Sequence, residues 1–355
     1  MNGPAIMPRV ITQAVRHDSD DPAIWLHPTD PAQSLILGTD KNADGALYVF
    51  RLDGRAVSDR VVPALNRPNN VDVEYGLTLS GSRLDIAVTT ERGSGKIRVH
   101  SLPEMRAVDD GGIQVFAGER EARAMGIAMY KRPADGEIFA IISRKDGPTD
   151  GTYLWQYRLQ DNGMGRVKAT KIRAFGKYSG NGEIEAIAVD DTLGFIYYSD
   201  ERTGIRKYHA DPDSADANKE LAVFGTTGFA KDREGIAIYP VSPHSGYVIV
   251  SNQACNTFHF FKREGEPRQP HEHRSVAVLR LSTQGTDGIE ATAASLGTAF
   301  PNGMLIAMSN DKTFHLYSWL DLLQGVDSLV GVSKSPRRRN HVPSRPRTVS
   351  GSLQY

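Results

Sequence analysis

The residues most suggestive of chemistry lie in the stretch DSDDPAIWLHPTD, from Asp18 to Asp30. Three of its first four residues are aspartates, and an apolar run, Ala23 to Leu26, follows directly. Carboxylates this close repel one another, and the repulsion raises their pKa values. A bound cation is the simplest compensation, so the stretch indicates a metal site at the start of a buried strand.

The elements that position these aspartates recur along the chain. Six apolar runs of β type begin at spacings of 49 to 57 residues, at Leu35, Leu84, Ile138, Phe195, Tyr247 and Met304. A companion strand precedes each run, and a polar turn and a second strand follow it. Such all-β units of about 50 residues are typical of a propeller, whereas a two-sheet sandwich rarely repeats so regularly. The sequence therefore predicts an all-β fold, a six-bladed β-propeller, with one helical segment at Trp319 to Leu323.

Charge divides the chain into a body and a tail. We predict a lead-in over residues 1–17, the propeller over residues 18–332 and a disordered tail over residues 333–355, which is rich in Ser and Pro. The tail has no acid, and its basic residues are Lys334, Arg337, Arg338, Arg339, Arg345 and Arg347. Without them, the net charge of zero becomes about −6. A nucleic-acid-binding arm is an alternative, but no aromatic residue interleaves the charges, so we expect no nucleic-acid partner.

Several other classes of protein are excluded or disfavoured. The single cysteine, Cys255, excludes an intramolecular disulfide and a Cys-rich zinc site. No apolar run approaches the roughly 18 residues of a membrane span, so no membrane partner is expected. The first 17 residues lack the basic-then-apolar pattern of a secretion signal. Either the protein is not exported by that route or its signal is missing from this sequence.

Charged residues fall at equivalent positions of the repeat, and equivalent positions of all blades lie at one end of a propeller channel. In units 1, 4, 5 and 6 the companion strand begins with acids, which are Asp20, Asp21, Glu183, Glu185, Asp232, Glu234 and Asp287. In units 1, 2 and 3 the next strand ends beside Lys41, Arg92 and Lys145. The alternative is that these charges lie on solvated turns, but that alternative does not explain why their sign changes with the blade.

An acidic arc without histidine or cysteine favours a hard cation with oxygen ligands. Calcium suits ligands from different blades better than magnesium, because such a site is roomy and has many oxygens. The adjacent cationic arc suits phosphate oxygens. Together, the two arcs indicate metal-assisted phosphoryl hydrolysis.

The runs DSDDPAIW and PNNVDV resemble the paired signature of the β-propeller phytases, alkaline, calcium-dependent enzymes that hydrolyse phytate, myo-inositol hexakisphosphate. GTDKNADG, TERGSGK and KDREGI follow in the family's order, and the similarity extends from about Asp18 to Trp319. The resemblance implies several calcium ions at the top of the channel and a metal-bridged water that attacks phosphorus. It also implies a neighbouring site for a second phosphate group.

The same resemblance assigns individual residues. It implies calcium ligands at Asp20, Asp21, Glu185, Glu201, Asp232, Glu234 and Asp287, of which the last five form the catalytic cluster. It implies that Lys41, Arg92 and Lys145 bind substrate phosphate. It also implies a secreted or periplasmic protein, although the lack of a visible signal leaves a cytoplasmic location open. We expect a monomer.

Three departures from the family pattern leave the substrate open. Met125 stands where the family has a tyrosine that contacts phosphate, and only STQG precedes the TDG motif, so one stabilising calcium site is not implied here. Ala254 and Cys255 replace the usual Gly-Asn. Another phosphorylated substrate, such as a lower inositol phosphate or a phosphodiester, is one alternative, and a non-catalytic module that binds calcium and phosphate is a second. The complete set of acids and cations favours an enzyme.

Overall fold

The computed structural model describes residues 4–330, so the predicted tail of residues 333–355 lies outside the described residues. The first strand is β1 (Val10–Ile11). Blade 1 contains β2 (Ser19–Trp25), β3 (Leu35–Asp40), β4 (Gly45–Arg51) and β5 (Val62–Leu65). Blade 2 contains β6 (Pro68–Leu79), β7 (Ser82–Glu91), β8 (Lys96–Leu102), β9 (Arg106–Ala107) and β10 (Ile113–Gln114). Blade 3 contains β11 (Ala124–Lys131), β12 (Ile138–Arg144), β13 (Leu154–Asp161) and β14 (Val167–Phe175).

The remaining blades follow the same plan. Blade 4 contains β15 (Ile187–Asp190), β16 (Phe195–Asp200), β17 (Gly204–His209) and β18 (Ala222–Phe224). Blade 5 contains β19 (Arg233–Ser242), β20 (Ser245–Asn252), β21 (Thr257–Lys262) and β22 (Ser275–Arg280). Blade 6 contains β23 (Ile289–Thr292), β24 (Met304–Ser309) and β25 (Thr313–Ser318), and β1 completes it. The helix α1 (Trp319–Val330) comes last, and short 3₁₀ turns span Pro31–Gln33, Ser58–Arg60 and Gln253–Cys255.

These sheets form a closed ring, which confirms the predicted six-bladed propeller. The first strand of each blade contacts the first strand of the next, and β23 contacts β2 to close the circle. Pairing within the blades is antiparallel, as between β2 and β3 or β24 and β25. The predicted runs at Leu35, Phe195 and Met304 coincide with β3, β16 and β24. The fourth, outer strand of each blade was not predicted.

A separate hydrophobic core fills each junction between neighbouring blades. Successive side chains of a strand point to opposite faces, so one strand serves two junctions. In β3, Leu35 and Leu37 pack against blade 2, whereas Ile36 packs against blade 6. All three side chains are buried. An apolar run without alternation, as the sequence has here, is therefore what a strand between two blades requires.

Both ends of the chain depart from the predicted outline. Within the predicted lead-in, β1 pairs with β25, so the N-terminal segment supplies the outer strand of the last blade. The predicted helical segment ended at Leu323, but α1 continues to Val330. Gly325 lies within this helix, where a Cβ atom would press on Leu279 and Ile6, so the close packing of the helix favours glycine at this position. Within residues 4–330, no helix is long and apolar enough to cross a membrane.

Thr12 provides a test of the pairing between β1 and β25. Its side-chain oxygen accepts a hydrogen bond from the Phe314 backbone N–H at 2.9 Å, and the residue is buried. We expect Thr12→Val to lower the free energy of unfolding by about 1–3 kcal/mol, because a buried N–H loses its acceptor at nearly constant volume. Urea denaturation measures this change. Thr29→Val, at an exposed position, should change stability by less than about 0.5 kcal/mol, and equal effects would contradict the prediction.

Candidate metal and phosphate site

Local irregularities of the inner strands place the site at the mouth of the channel. In blades 1, 2, 3 and 5, the register of the inner strand shifts directly after Ser19, Pro68, Ala124 and Arg233. Such β-bulges redirect side chains and are frequent beside active sites. Asp20, Asn69 and Glu234 lie in three of these bulges. In blades 4 and 6, Glu185 and Asp287 come just before the inner strand begins.

Hydroxyl groups at the ends of the second strands hold the backbone of the next blade. Thr39 donates to the Asn69 carbonyl oxygen at 2.7 Å, and Ser251 donates to that of Thr286 at 3.2 Å. The same bond links Thr90 to Met125 and Ser199 to Arg233. The four hydroxyl residues are buried. Each of these Ser or Thr residues, near the end of its strand, therefore links two neighbouring blades.

Two glycines let the acid-bearing segments of neighbouring blades approach one another. A Cβ atom on Gly126 would collide with the Glu185 carbonyl oxygen, and one on Gly288 would collide with the Asp21 carboxylate. Because no side chain intervenes, carboxylates from different blades come within reach of one another.

The structure brings the predicted acids together. One oxygen from each of Glu183, Glu185 and Glu201 lies within 4.8 Å of the others, an arrangement that can hold a metal ion. Asp20 and Glu185 meet at the side-chain amide of Asn69. The remaining predicted acids, Asp21, Asp232, Glu234 and Asp287, border this group.

Two of the predicted acids lie at the edges of the group. The Asp21 carboxylate accepts a hydrogen bond from the Val71 N–H at 3.0 Å and faces the channel cavity below the mouth. Asp232 forms ion pairs with Arg202 at 3.1 Å and Lys231 at 3.4 Å.

Burial and mutual repulsion raise the pKa values of the central carboxylates. Burial is the larger cause for Glu234, whose pKa is raised further by Glu201 and Glu185. Burial likewise raises the pKa of Glu201 to about 8 and lifts that of Asp20 well above its ordinary value, although Lys41 opposes the shift at Asp20. The ionised forms therefore require a nearby positive charge.

Two groups indicate that the site suits a cation. Glu234 is only 7% exposed, and the acids Glu201 and Glu185 act on its carboxylate. The Asn69 side-chain oxygen is buried without a partner, while its amide nitrogen lies 3.1 Å from Asp20 and also contacts Glu185. Carboxylate and amide oxygens are ligands of hard divalent cations. The donor set therefore fits such an ion.

The three predicted phosphate-binding cations lie beside these acids, but in different environments. The Lys41 ammonium pairs with Asp20 and lies 3.5 Å from an Asp287 oxygen. Lys145 pairs with Glu183. The guanidinium of Arg92 instead lies 3.8 Å from the sulfur of Met125, which is buried. Met125 thus packs against a predicted phosphate-binding residue, at the position where the resemblance implies a tyrosine.

The predicted assignments missed three residues of the site, and they gave no ligand role to Glu183, which the charge pattern places in the acidic arc and which lies in the carboxylate group itself. Asn69 and Gln253 donate hydrogen bonds to Glu185 and Asp287 respectively. Both amides lie at the predicted strand ends, but neutral amides carry no charge signal. Arg67 is the third: its carbonyl accepts from the Arg92 N–H at 3.0 Å, and its charge lowers the pKa of Arg92, although less than burial does.

A second acidic group lines the channel below the mouth, around a cavity of about 340 Å³. Burial raises the pKa of Asp72 to about 6, that of Asp191 to about 7 and that of Glu74 to about 8. Asp21 borders this cavity as well as the mouth. The channel is therefore acidic over much of its length.

Comparison with known proteins identifies the family of this chain. The family model described as Phytase matches residues 5–315. A 3-phytase from Bacillus subtilis (strain 168) is 28% identical over 340 residues, which cover 90% of this chain and 85% of the relative. A chain from a crystal structure of a mitotic checkpoint complex superposes with a TM-score of 0.48 at 11% identity, over 90% of this chain and 93% of that one.

The raised pKa of Glu201 makes stability depend on pH in the presence of a chelator. Its value of about 8 in the folded protein exceeds the ordinary value of 4.5, so the folded state binds more protons between these values. We therefore expect the free energy of unfolding to fall as pH rises from about 4.5 to about 8, by at most about 1.4 kcal/mol per pH unit from this group.

Chemical denaturation across this pH range measures the slope. Glu201→Gln cannot titrate and should show a shallower slope than the wild type, with the remainder coming from groups such as Glu74 and Asp191. Identical slopes for the two proteins would contradict the assignment.

Proposed function

The chain belongs to the phytase family, and from this premise we propose that it is a calcium-dependent phosphomonoester hydrolase that acts on phytate. The observation that carries this proposal is the carboxylate cluster of blade 4, which Asn69 links to Asp20 of blade 1 and which acts electrostatically on Glu234 of blade 5, beside Lys41 and Lys145. The B. subtilis relative, named a 3-phytase, supports the same substrate. Release of inorganic phosphate from phytate, with and without calcium, tests it directly.

The chain's own residues divide the work between metal and substrate. Asp20, Glu185, Glu201, Glu234 and Asp287 would hold calcium, and Asp21 and Asp232 would complete the set from its edges. Bound there, calcium would supply Lewis-acid polarisation of phosphate oxygens and of the attacking water. Calcium is favoured over magnesium because ligands from four blades form a many-oxygen site rather than a tight octahedron.

The cations orient the substrate. Arg92 offers a planar guanidinium that can donate two parallel hydrogen bonds to one phosphate group. Lys41 and Lys145 flank it as point charges on the neighbouring blades. The position of all three beside the carboxylates would place one phosphate group at the metal and another at the cations.

Met125 favours a second candidate, a related phosphorylated substrate such as a lower inositol phosphate. A thioether is at best a weak acceptor and cannot donate a hydrogen bond to phosphate as a tyrosine hydroxyl can. One such neutral bond is worth only about 0.5–1.5 kcal/mol. The loss is small beside the charged contacts, so phytate remains the first choice. Comparing kcat/KM for phytate and for a lower inositol phosphate distinguishes the two.

Calcium should stabilise the fold as well as support catalysis. A ligand that binds only the folded state adds about 2.7 kcal/mol at a hundredfold excess over its Kd. We expect EGTA to lower the melting temperature by several degrees, with full recovery on adding calcium and smaller recovery with magnesium. Differential scanning calorimetry measures the change. A melting temperature unaffected by EGTA and by calcium would contradict a calcium site.

Neutral substitutions in the acid set should abolish most of the turnover. Glu185→Gln, Glu234→Gln and Asp287→Asn each remove a negative charge at nearly constant volume. We expect each to lower kcat by about 100-fold or more, because even the outer partners of metal ligands are worth 10–100-fold. Asp311→Asn is a matched control at an exposed strand end of blade 6. Unchanged kinetics in all three variants would contradict the assignment of the site.

A further inference from the structure

We propose that Lys41 sets the cation affinity of this site by competing with the divalent ion for Asp20 and Asp287. This inference rests on the proposed function, because it takes these two carboxylates as calcium ligands. It gives Lys41 a second role, in addition to contact with substrate phosphate.

The contacts of Lys41 place its ammonium among the carboxylates. Nζ forms an ion pair with Asp20, which is fully buried, and lies 3.5 Å from Asp287 Oδ2. The Lys41 backbone N–H donates to the Asp18 carbonyl at 2.7 Å, so the base of the side chain is fixed at the end of β3. A lysine ammonium is ordinarily charged at neutral pH, so Lys41 places a positive charge directly among these carboxylates.

A divalent ion held by Asp20 and Asp287 would compete with the Lys41 ammonium for the carboxylate oxygens that the ammonium contacts. The apparent affinity for the ion is then reduced by the fraction of molecules in which these oxygens are free of the ammonium. Once displaced, the ammonium can turn to a phosphate oxygen. Calcium and phosphate should therefore strengthen each other's binding, and by linkage the factor must be the same in both directions.

Arg92 is the matched comparison for Lys41. It carries the same charge on the same side of the mouth, and Asp20 and Glu185 act on it electrostatically. Within the described part of the chain, however, its side chain contacts Met125 and pairs with no carboxylate. Removal of either positive charge should strengthen calcium binding, because it removes electrostatic repulsion of the ion. Only removal of Lys41 should also free the oxygens of Asp20 and Asp287.

The test measures calcium binding by isothermal titration calorimetry in the full-length wild type, Lys41→Met and Arg92→Met. Binding is measured rather than turnover because either substitution also removes a phosphate contact. We expect Lys41→Met to lower the calcium Kd by about tenfold or more, and Arg92→Met by about threefold or less, since a more distant charge is weaker and more screened. Lys41→Met should also melt at a lower temperature than the wild type in EGTA and show a larger rise with calcium.

The possible outcomes separate this inference from the proposed function. If Lys41→Met binds calcium more weakly than the wild type, or no more tightly than Arg92→Met, competition by Lys41 is wrong while the calcium site stands. If neither the wild type nor Lys41→Met binds calcium, the proposed function fails and this inference fails with it. Should Lys41→Met not fold, Lys41→Gln gives the same test, because it keeps an N–H donor for Asp20 without the charge.

Discussion

Repulsion among the carboxylates at the channel mouth is the interaction on which the rest of the site depends. The pKa values of Asp20, Glu201 and Glu234 are raised by burial and by neighbouring acids. Lysines and side-chain amides offset only part of this charge, through Lys41, Lys145, Asn69 and Gln253. Each lysine supplies one positive charge and each amide none. Under the proposed function a divalent cation would supply the positive charge that these groups lack.

The propeller prevents the acids from relieving this repulsion by moving apart. Each inner strand is held between two cores, and hydroxyls such as Thr39 and Ser251 tie its first residues to the preceding blade. The bulges direct side chains inward, and Gly126 and Gly288 remove the atoms that would keep the strands apart. Geometry fixed in this way favours function at a cost in stability.

The sequence predicts the six-bladed propeller and the end of the channel that carries the charged residues more reliably than it predicts the side-chain contacts of the site. The predicted bounds of β3, β16 and β24 agree with the structure at both ends of each strand, because strands between two blades are apolar on both faces and so have a clear pattern. Outer strands such as β5 and β10 are short and partly exposed, so they have no comparable pattern. The repeat places the predicted acids and cations at one end, but it contains no distance between blades. It therefore could not show that Lys41 pairs with Asp20, or that the neutral side chain of Asn69 joins two acids.

The two lysine contacts lie at the borders between the acidic and cationic arcs. Lys41 pairs with Asp20 in blade 1, where the arcs overlap, and Lys145 of blade 3 pairs with Glu183, which precedes the inner strand of blade 4. Away from these borders, among the residues that the structure describes, Arg92 of blade 2 has no acid partner, and the acids Glu201 and Glu185 act on Glu234 of blade 5.

Blades 2 and 5 lie opposite each other in a ring of six, so the least compensated positive and negative charges lie on opposite sides of the mouth. A ligand with one anionic group can satisfy only one side, either directly at Arg92 or through a metal ion near Glu234. A ligand with several phosphate groups can satisfy both at once. The distribution of charge therefore favours a polyphosphorylated substrate over a phosphodiester.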